Sequence, residues 1–248
     1  MSYVTARWND AKILWHLMVS RIDGETHADR LNSFYEGQAA GYDQFRRRLL
    51  HGRRELFDNL DVPADGTWVD LGAGTGENAE LWGGRIHQLR KGYLVDLCEP
   101  LLDVSRQRIR ANGWSNVEAV CADATTYVPS EGEVDLVTFS YSLTMIPDWI
   151  SAVNQAWKLL RPGGTLGIVD FYVSRKYPGE GLKRHSWFQQ NIWPVWFAND
   201  NVYLNRDHLP YLLDRFELVH LAENEGSIPY VPFVKVPYYR LIARKPVR

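Results

Sequence analysis

Val69-Asp70-Leu71-Gly72-Ala73-Gly74-Thr75-Gly76-Glu77-Asn78 sets three glycines directly between an apolar strand pattern, Thr67-Trp68-Val69-Asp70-Leu71, and the start of a helical one. Glycines at such a junction permit positive φ and let a ligand touch the backbone. A dinucleotide fingerprint spaces them G-x-G-x-x-G; here they stand G-x-G-x-G, with acidic Asp70 just ahead of the loop. A carboxylate in that place opposes an anionic pyrophosphate. It suits S-adenosylmethionine, which carries an ammonium and a sulfonium, and that molecule rather than NAD is the expected cofactor.

Outward from the loop, short apolar strands at residues 93–96, 117–121, 134–139 and 165–171 alternate with helical stretches. Alternation of this kind implies a parallel sheet. A helix at about 149–160 is stopped by Arg161-Pro162-Gly163-Gly164. After a polar, aromatic-rich stretch at 174–207 come a helix at 209–215 and strands at 216–221 and 238–243, making seven strands in all. Ile13, Leu14, Leu17 and Met18 fall at helical spacing, and residues 31–50 hold a second such pattern, so helices outside the sheet are expected at the N-terminus. The expected fold is α/β, a doubly wound seven-stranded sheet in one domain. It divides into an N-terminal helical cap (1–60), a cofactor-binding core (61–173), an aromatic-rich cap insertion after strand five (174–208), and a final helix with two strands (209–248).

With 248 residues the chain suffices for one large domain. Lysine and arginine total 28 against 30 acidic residues, a formal charge of -2 that gives no field for drawing in nucleic acid. The two cysteines, Cys98 and Cys121, form no CxxC and no metal-like cluster, so no metal is expected and both read as inert core thiols in a reducing cytosol. Trp8, Asn9, Asp10 and Lys12 interrupt any signal peptide, and no run approaches the ~18 apolar residues of a membrane span. The expected location is cytoplasmic, with peripheral contact at the inner face of the membrane.

Asp96 ends the second strand, where open α/β sheets present a carboxylate to ribose hydroxyls. Asp123, in Ala122-Asp123-Ala124, could accept a hydrogen bond from an adenine amino group. Either aspartate would serve equally as a helix cap. The expected cofactor set is Asp70, Gly72, Ala73, Gly74, Gly76 and Asn78 from the loop, then Asp96, Leu97, Asp123, Ala124 and Ser140.

V-D-L-G-A-G-T-G, the ribose aspartate, A-D-A and L-L-R-P-G-G together resemble class I S-adenosylmethionine methyltransferases over about residues 61–172. That resemblance implies a Rossmann-like, mostly parallel sheet of strand order 3-2-1-4-5-7-6 with strand seven antiparallel. Two further stretches, Phe34-Tyr35-Glu36-Gly37-Gln38-Ala39-Ala40-Gly41-Tyr42-Asp43-Gln44-Phe45-Arg46 and Phe139-Ser140-Tyr141-Ser142-Leu143-Thr144-Met145-Ile146-Pro147-Asp148-Trp149, resemble the methyltransferase of betaine lipid synthesis, and Val236-Pro237-Tyr238-Tyr239 is similar too. That family trimethylates the amine of diacylglycerylhomoserine to diacylglyceryl-N,N,N-trimethylhomoserine. The resemblance implies that Tyr35 and Tyr42 close over the methionine end of the cofactor, that Arg46 meets its carboxylate, and that this chain is the methylating half alone. Phosphatidylethanolamine or a soluble small amine are the alternative acceptors, and a non-catalytic protein and an NAD oxidoreductase are rival classes.

An amine nucleophile must lose a proton, and Tyr35, Tyr42, Tyr141, Asp170 and His185 are the candidate acceptors, with Tyr141 foremost among substrate-facing residues. Trp187, Phe188, Trp193, Trp196, Phe197 and Tyr203 could hold a quaternary ammonium through cation–π contacts, or simply pack a cap. Arg46, Arg47, Arg48, Arg53 and Arg54, with apolar residues 13–19 nearby, suggest docking on an anionic membrane. Arg175, Lys176, Lys183 and Arg184 are candidate partners for a head-group carboxylate. Nothing in the pattern indicates an oligomeric state.

Overall fold

In the computed structural model, which describes residues 49–198, 201–228 and 234–247, Thr67–Leu71 forms β1, and every residue of it is buried. It is followed by β2 (Lys91–Asp96), β3 (Val117–Cys121), β4 (Val134–Ser140), β5 (Leu160–Phe171), β6 (Glu217–Ser227) and β7 (Lys235–Arg244). They make one seven-stranded sheet of order β3-β2-β1-β4-β5-β7-β6. β7 runs antiparallel to both β5 and β6; the pairings among β1 to β5 are parallel. This is the expected topology. Because β1 pairs with β2 on one side and β4 on the other, the chain changes direction across the sheet beside β1, and the crevice at the carboxyl ends of these strands is where such sheets take ligands.

Side chains alternate across each strand, so β1 feeds two cores. Trp68 points to the face covered by α1 (Arg53–Asn59), α2 (Glu77–Leu81) and the carboxyl end of α3 (Glu99–Asn112), whereas Val69 and Leu71 point to the face covered by α4 (Trp149–Leu159) and α6 (His208–Arg215). On the first face Phe57, Trp68 and Trp82 meet edge to face, with centroids 4.8 to 6.1 Å apart. The stretch 53–60 therefore belongs to the sheet's core and is not an outlying cap. Gly167 of β5 leaves the room that Leu60 fills, since a Cβ there would lie 2.9 Å from its Cδ1. The remaining helices expected at the N-terminus lie outside the described residues.

Three element boundaries differ from expectation. β5 begins at Leu160 rather than 165, because Arg161-Pro162-Gly163-Gly164 forms an irregularity within the strand. Gly163, at φ 75°, donates its N–H to Lys245 O (2.9 Å), so the segment stays in the ladder. β6 runs on to Ser227 because an edge strand can carry Glu223, Asn224 and Glu225 while its backbone bonds to β7. The insertion at 174–208 contains a helix, α5 (Trp187–Ala198). Its start is a capping box: Ser186 N donates to Gln189 Oε1 (3.1 Å) and Gln189 N to Ser186 Oγ (3.2 Å). Among the described residues no helix is long and apolar enough to cross a membrane.

Candidate functional site

The loop from β1 to α2 is shaped by positive φ at Gly72, Gly74 and Gly76. At Gly72 a Cβ would lie 2.4 Å from Ser142 Cβ, and at Gly76 one would lie 2.5 Å from Ser105 Oγ, so only glycine lets the loop pass this closely. The loop is stitched to the end of β2. Gly72 N and Ala73 N donate to Val95 O (2.8 and 3.0 Å), and Gly74 N donates to Asp96 Oδ2 (2.8 Å). The other Asp96 oxygen accepts from Cys98 N (2.8 Å). On the β4 side, Ser142 Oγ donates to Leu71 O (2.8 Å).

These contacts frame a cavity of ≈ 280 Å³. Gly72 and Gly74 give it a bare backbone floor, while Leu97, Leu101, Ala122 and Ala124 make one apolar wall. Tyr141, Ser142, Met145, Ile146 and Pro147 make the opposite wall. Among the described residues three aspartates, Asp96, Asp123 and Asp148, line it, and no lysine, arginine or histidine does. Asp123 also holds its own turn, accepting from Thr125 N (2.8 Å) and Thr125 Oγ1 (2.7 Å), and Asp148 caps α4 by accepting from Ser151 N (3.0 Å). Each aspartate thus combines a structural bond with a place on the cavity.

Several expected site residues sit elsewhere. Asp70 is buried behind the loop, with Oδ1 accepting from Thr138 Oγ1 (2.6 Å) and Oδ2 from Asn78 Nδ2 (2.8 Å). Arg53 Nη2 in turn donates to Asn78 Oδ1 (2.7 Å), and Arg53 Nη1 pairs with Glu77 (2.7 Å). Asp70 and Asn78 therefore brace the loop from within and do not line the cavity, and Arg53 leaves the basic surface cluster expected of it. Burial pushes the Asp70 carboxyl up to about 6, against its hydrogen bonds and the nearby Arg53 charge. Ser140 is buried next to the cavity residues, its hydroxyl without a partner among the described residues. Ala73 and Gly76 shape the loop without facing the cavity.

Tyr141 reaches the cavity wall, held at φ 55°. Its hydroxyl donates to His51 O (2.6 Å), and burial pushes its ionisation well above the ordinary phenol value. Asp170 is buried, with Thr144 N (3.2 Å), Thr144 Oγ1 (2.7 Å) and Phe171 N (2.8 Å) donating to it, and burial raises it to about 7. His185 Nδ1 accepts from Ser174 N (3.0 Å), away from the cavity. Burial lowers its pKa. Trp193 and Phe197 are buried beneath α5, the packing role among the two readings, while Trp187, Phe188, Trp196 and Tyr203 are exposed. Cys98 is buried as expected but Cys121 is exposed at the end of β3. Tyr35, Tyr42, Arg46, Arg47, Arg48 and residues 13–19 lie outside the described residues. Met145, Ile146, Pro147 and Asp148 were not singled out individually; they stood only within the stretch 139–149 that carries the family resemblance.

The sheet order, the glycine loop at the reversal beside β1 and the cavity above it define a Rossmann-like class I methyltransferase fold. A family profile described as a methyltransferase domain matches residues 42–226, and the chain belongs to that family, the class I S-adenosylmethionine-dependent methyltransferases. It is 24% identical over 241 residues to the ubiquinone/menaquinone biosynthesis C-methyltransferase UbiE of Klebsiella pneumoniae, covering 94% of each chain. To UbiE of Escherichia coli K12 it is 26% identical over 162 residues, 63% of this chain and 64% of that one. Among solved structures, phosphoethanolamine N-methyltransferase 2 of Haemonchus contortus, in complex with phosphomonomethylethanolamine and S-adenosylhomocysteine, matches with TM-score 0.69 at 14% identity, over 90% of this chain and 61% of that one. The N-methyltransferase NodS of Bradyrhizobium japonicum matches with TM-score 0.56 at 15% identity, over 82% of this chain and 98% of that one. These structural likenesses bear on the fold.

Proposed function

We propose that the protein N-methylates the amine of a lipid head group, converting diacylglycerylhomoserine to diacylglyceryl-N,N,N-trimethylhomoserine. The observation that carries this reading is the charge of the cavity, with three aspartates and no basic side chain among the described residues that line it. Such a lining repels phosphates and favours cations, both those of the methyl donor and that of an ammonium acceptor. The residues fit the donor: Gly72 and Gly74 give the cavity a floor of bare backbone, and Asp96 sits at the strand end that suits a ribose. In this reading Asp96 and Leu97 hold the ribose side, Asp123 and Ala124 the adenine, and the wall from Tyr141 to Asp148 faces the acceptor.

S-adenosylmethionine supplies an electrophilic methyl group on a positively charged sulfur. The acceptor nitrogen forms its bond to that carbon as the carbon–sulfur bond breaks, the bonding pair stays on sulfur, and the nitrogen sheds one proton per transfer. The protein's part is alignment and exclusion of water. Leu97, Leu101, Met145, Ile146 and Pro147 keep the walls dry. Tyr141, tied to His51 O, fixes the wall's position and leaves proton removal to another group.

A second reading, C-methylation of a ring acceptor, is favoured by the likeness to UbiE along nearly the whole chain. Incubation with methyl-labelled S-adenosylmethionine and vesicles carrying diacylglycerylhomoserine, phosphatidylethanolamine or a demethylated quinone separates the two by mass spectrometry. A ladder of one, two and three methyls on the homoserine lipid is expected. Label on phosphatidylethanolamine alone replaces the head group, and label on the quinone alone overturns N-methylation.

A further inference from the structure

Helix α5 is apolar on both faces. Gln190, Trp193 and Phe197 turn inward and are buried, and the Trp193 and Phe197 rings lie 5.9 Å apart. The opposite face presents Trp187, Phe188, Ile192, Val195 and Trp196, with Trp187 77% and Val195 71% exposed. A helix resting on a protein in water normally turns a polar face outward, so this face lacks the composition of a solvated one. At its amino end lies an open basin of ≈ 640 Å³ lined by Lys176, Arg184, Arg206 and Trp187, with no carboxylate in the lining among the described residues. The neighbouring cations are engaged: Arg175 pairs with Asp207 (2.7 Å) and Lys183 Nζ donates to Glu223 O (2.5 Å). Lys176 and Arg184 instead stand over the Tyr177 ring, 5.3 and 5.8 Å from its centroid, with no acidic partner among the described residues.

We infer that this face docks on an anionic lipid bilayer, with the aromatic side chains of α5 entering the head-group region and Lys176 and Arg184 meeting lipid phosphates. Aromatic rings and basic side chains on one surface match the two components of a membrane interface. The formal charge of the whole chain is -2, so a uniform field would not bring it to such a surface. Lys176 and Arg184 supply local attraction and orientation. A second copy of the chain is a poorer occupant, because a two-fold contact would set the same cations against each other. The inference does not depend on the identity of the methyl acceptor.

The test is cosedimentation of the full chain, without S-adenosylmethionine, with phosphatidylcholine vesicles that either contain phosphatidylglycerol at about 30% or lack it. Binding to the anionic vesicles only, weakened by added salt, is the expected result. The double variants Lys176→Glu/Arg184→Glu and Trp187→Ser/Phe188→Ser should each lower it by about tenfold or more. All four side chains are exposed, and unchanged melting temperatures show that any loss is not unfolding. No binding by the unaltered chain, or full binding by either variant pair, overturns the inference. So does an aromatic variant that dissociates a dimer while neither form sediments with vesicles.

Discussion

Asp96 does two things with one side chain: it lines the cavity and it bonds both Gly74 N and Cys98 N. Asp96→Ala is therefore expected to weaken S-adenosylmethionine binding by about 1.5–3 kcal/mol, measured by isothermal titration, since charge-assisted bonds are lost on the loop and the ligand side together. Tyr141 gives the opposite expectation. Its hydroxyl serves His51 O, so Tyr141→Phe should cost about 1 kcal/mol of stability in urea melts. The same variant should keep kcat well within the roughly 100-fold loss that removal of a general base produces. A collapse of kcat with unchanged stability would return Tyr141 to proton transfer.

At the scale of an element, α5 shows how a short local signal organises an insertion. Ser186 and Gln189 satisfy orphan amides at its start, and Trp193 and Phe197 then anchor it on the core. Ser186→Ala removes the cap and should lower stability by about 1 kcal/mol, with faster amide exchange confined to the first turn of the helix. The adjoining pair, Ser174 with His185, ties the preceding loop to the helix start: Ser174 N donates to His185 Nδ1 and His185 N to Ser174 Oγ (2.9 Å). That arrangement needs a neutral ring. α1 works differently, since it has no side-chain cap and depends on Leu56 and Phe57 being buried.

Over the whole molecule, buried ionisable groups pull pH dependence in two directions. Burial raises Asp70 from 3.8 to about 6 and Asp170 from 3.8 to about 7, so the unfolded chain releases each proton before the folded one does, and stability falls as pH rises through those ranges. His208 is buried, and burial lowers it from 6.5 to about 3, so stability falls as pH drops across that range. Between about pH 4 and 6 the two carboxyls and His208 therefore pull the melting temperature in opposite directions. Asp70→Asn removes one falling slope, so its melting temperature should gain on that of the unaltered protein as pH rises through this window. Parallel profiles for the two proteins would show that Asp70 titrates normally.

The sequence by itself determined the strand and helix alternation, the glycine loop, the positions of Asp96 and Asp123, and, through family resemblance, the strand order. These rest on near-neighbour physics: two-residue and helical periodicities, and backbone torsions that glycine alone adopts at no cost. What lies beyond them depends on contacts between residues distant in the chain. Asp70 read as a ligand because it precedes the loop, but Thr138 and Asn78 claim both of its oxygens. Arg53 read as surface charge, but Glu77 and Asn78 draw it inward. The wall from Tyr141 to Asp148 becomes a site only because β4 lies beside β1. Tertiary structure decided which polar groups face the cavity, since their hydrogen bonds are satisfied by partners that no local pattern names.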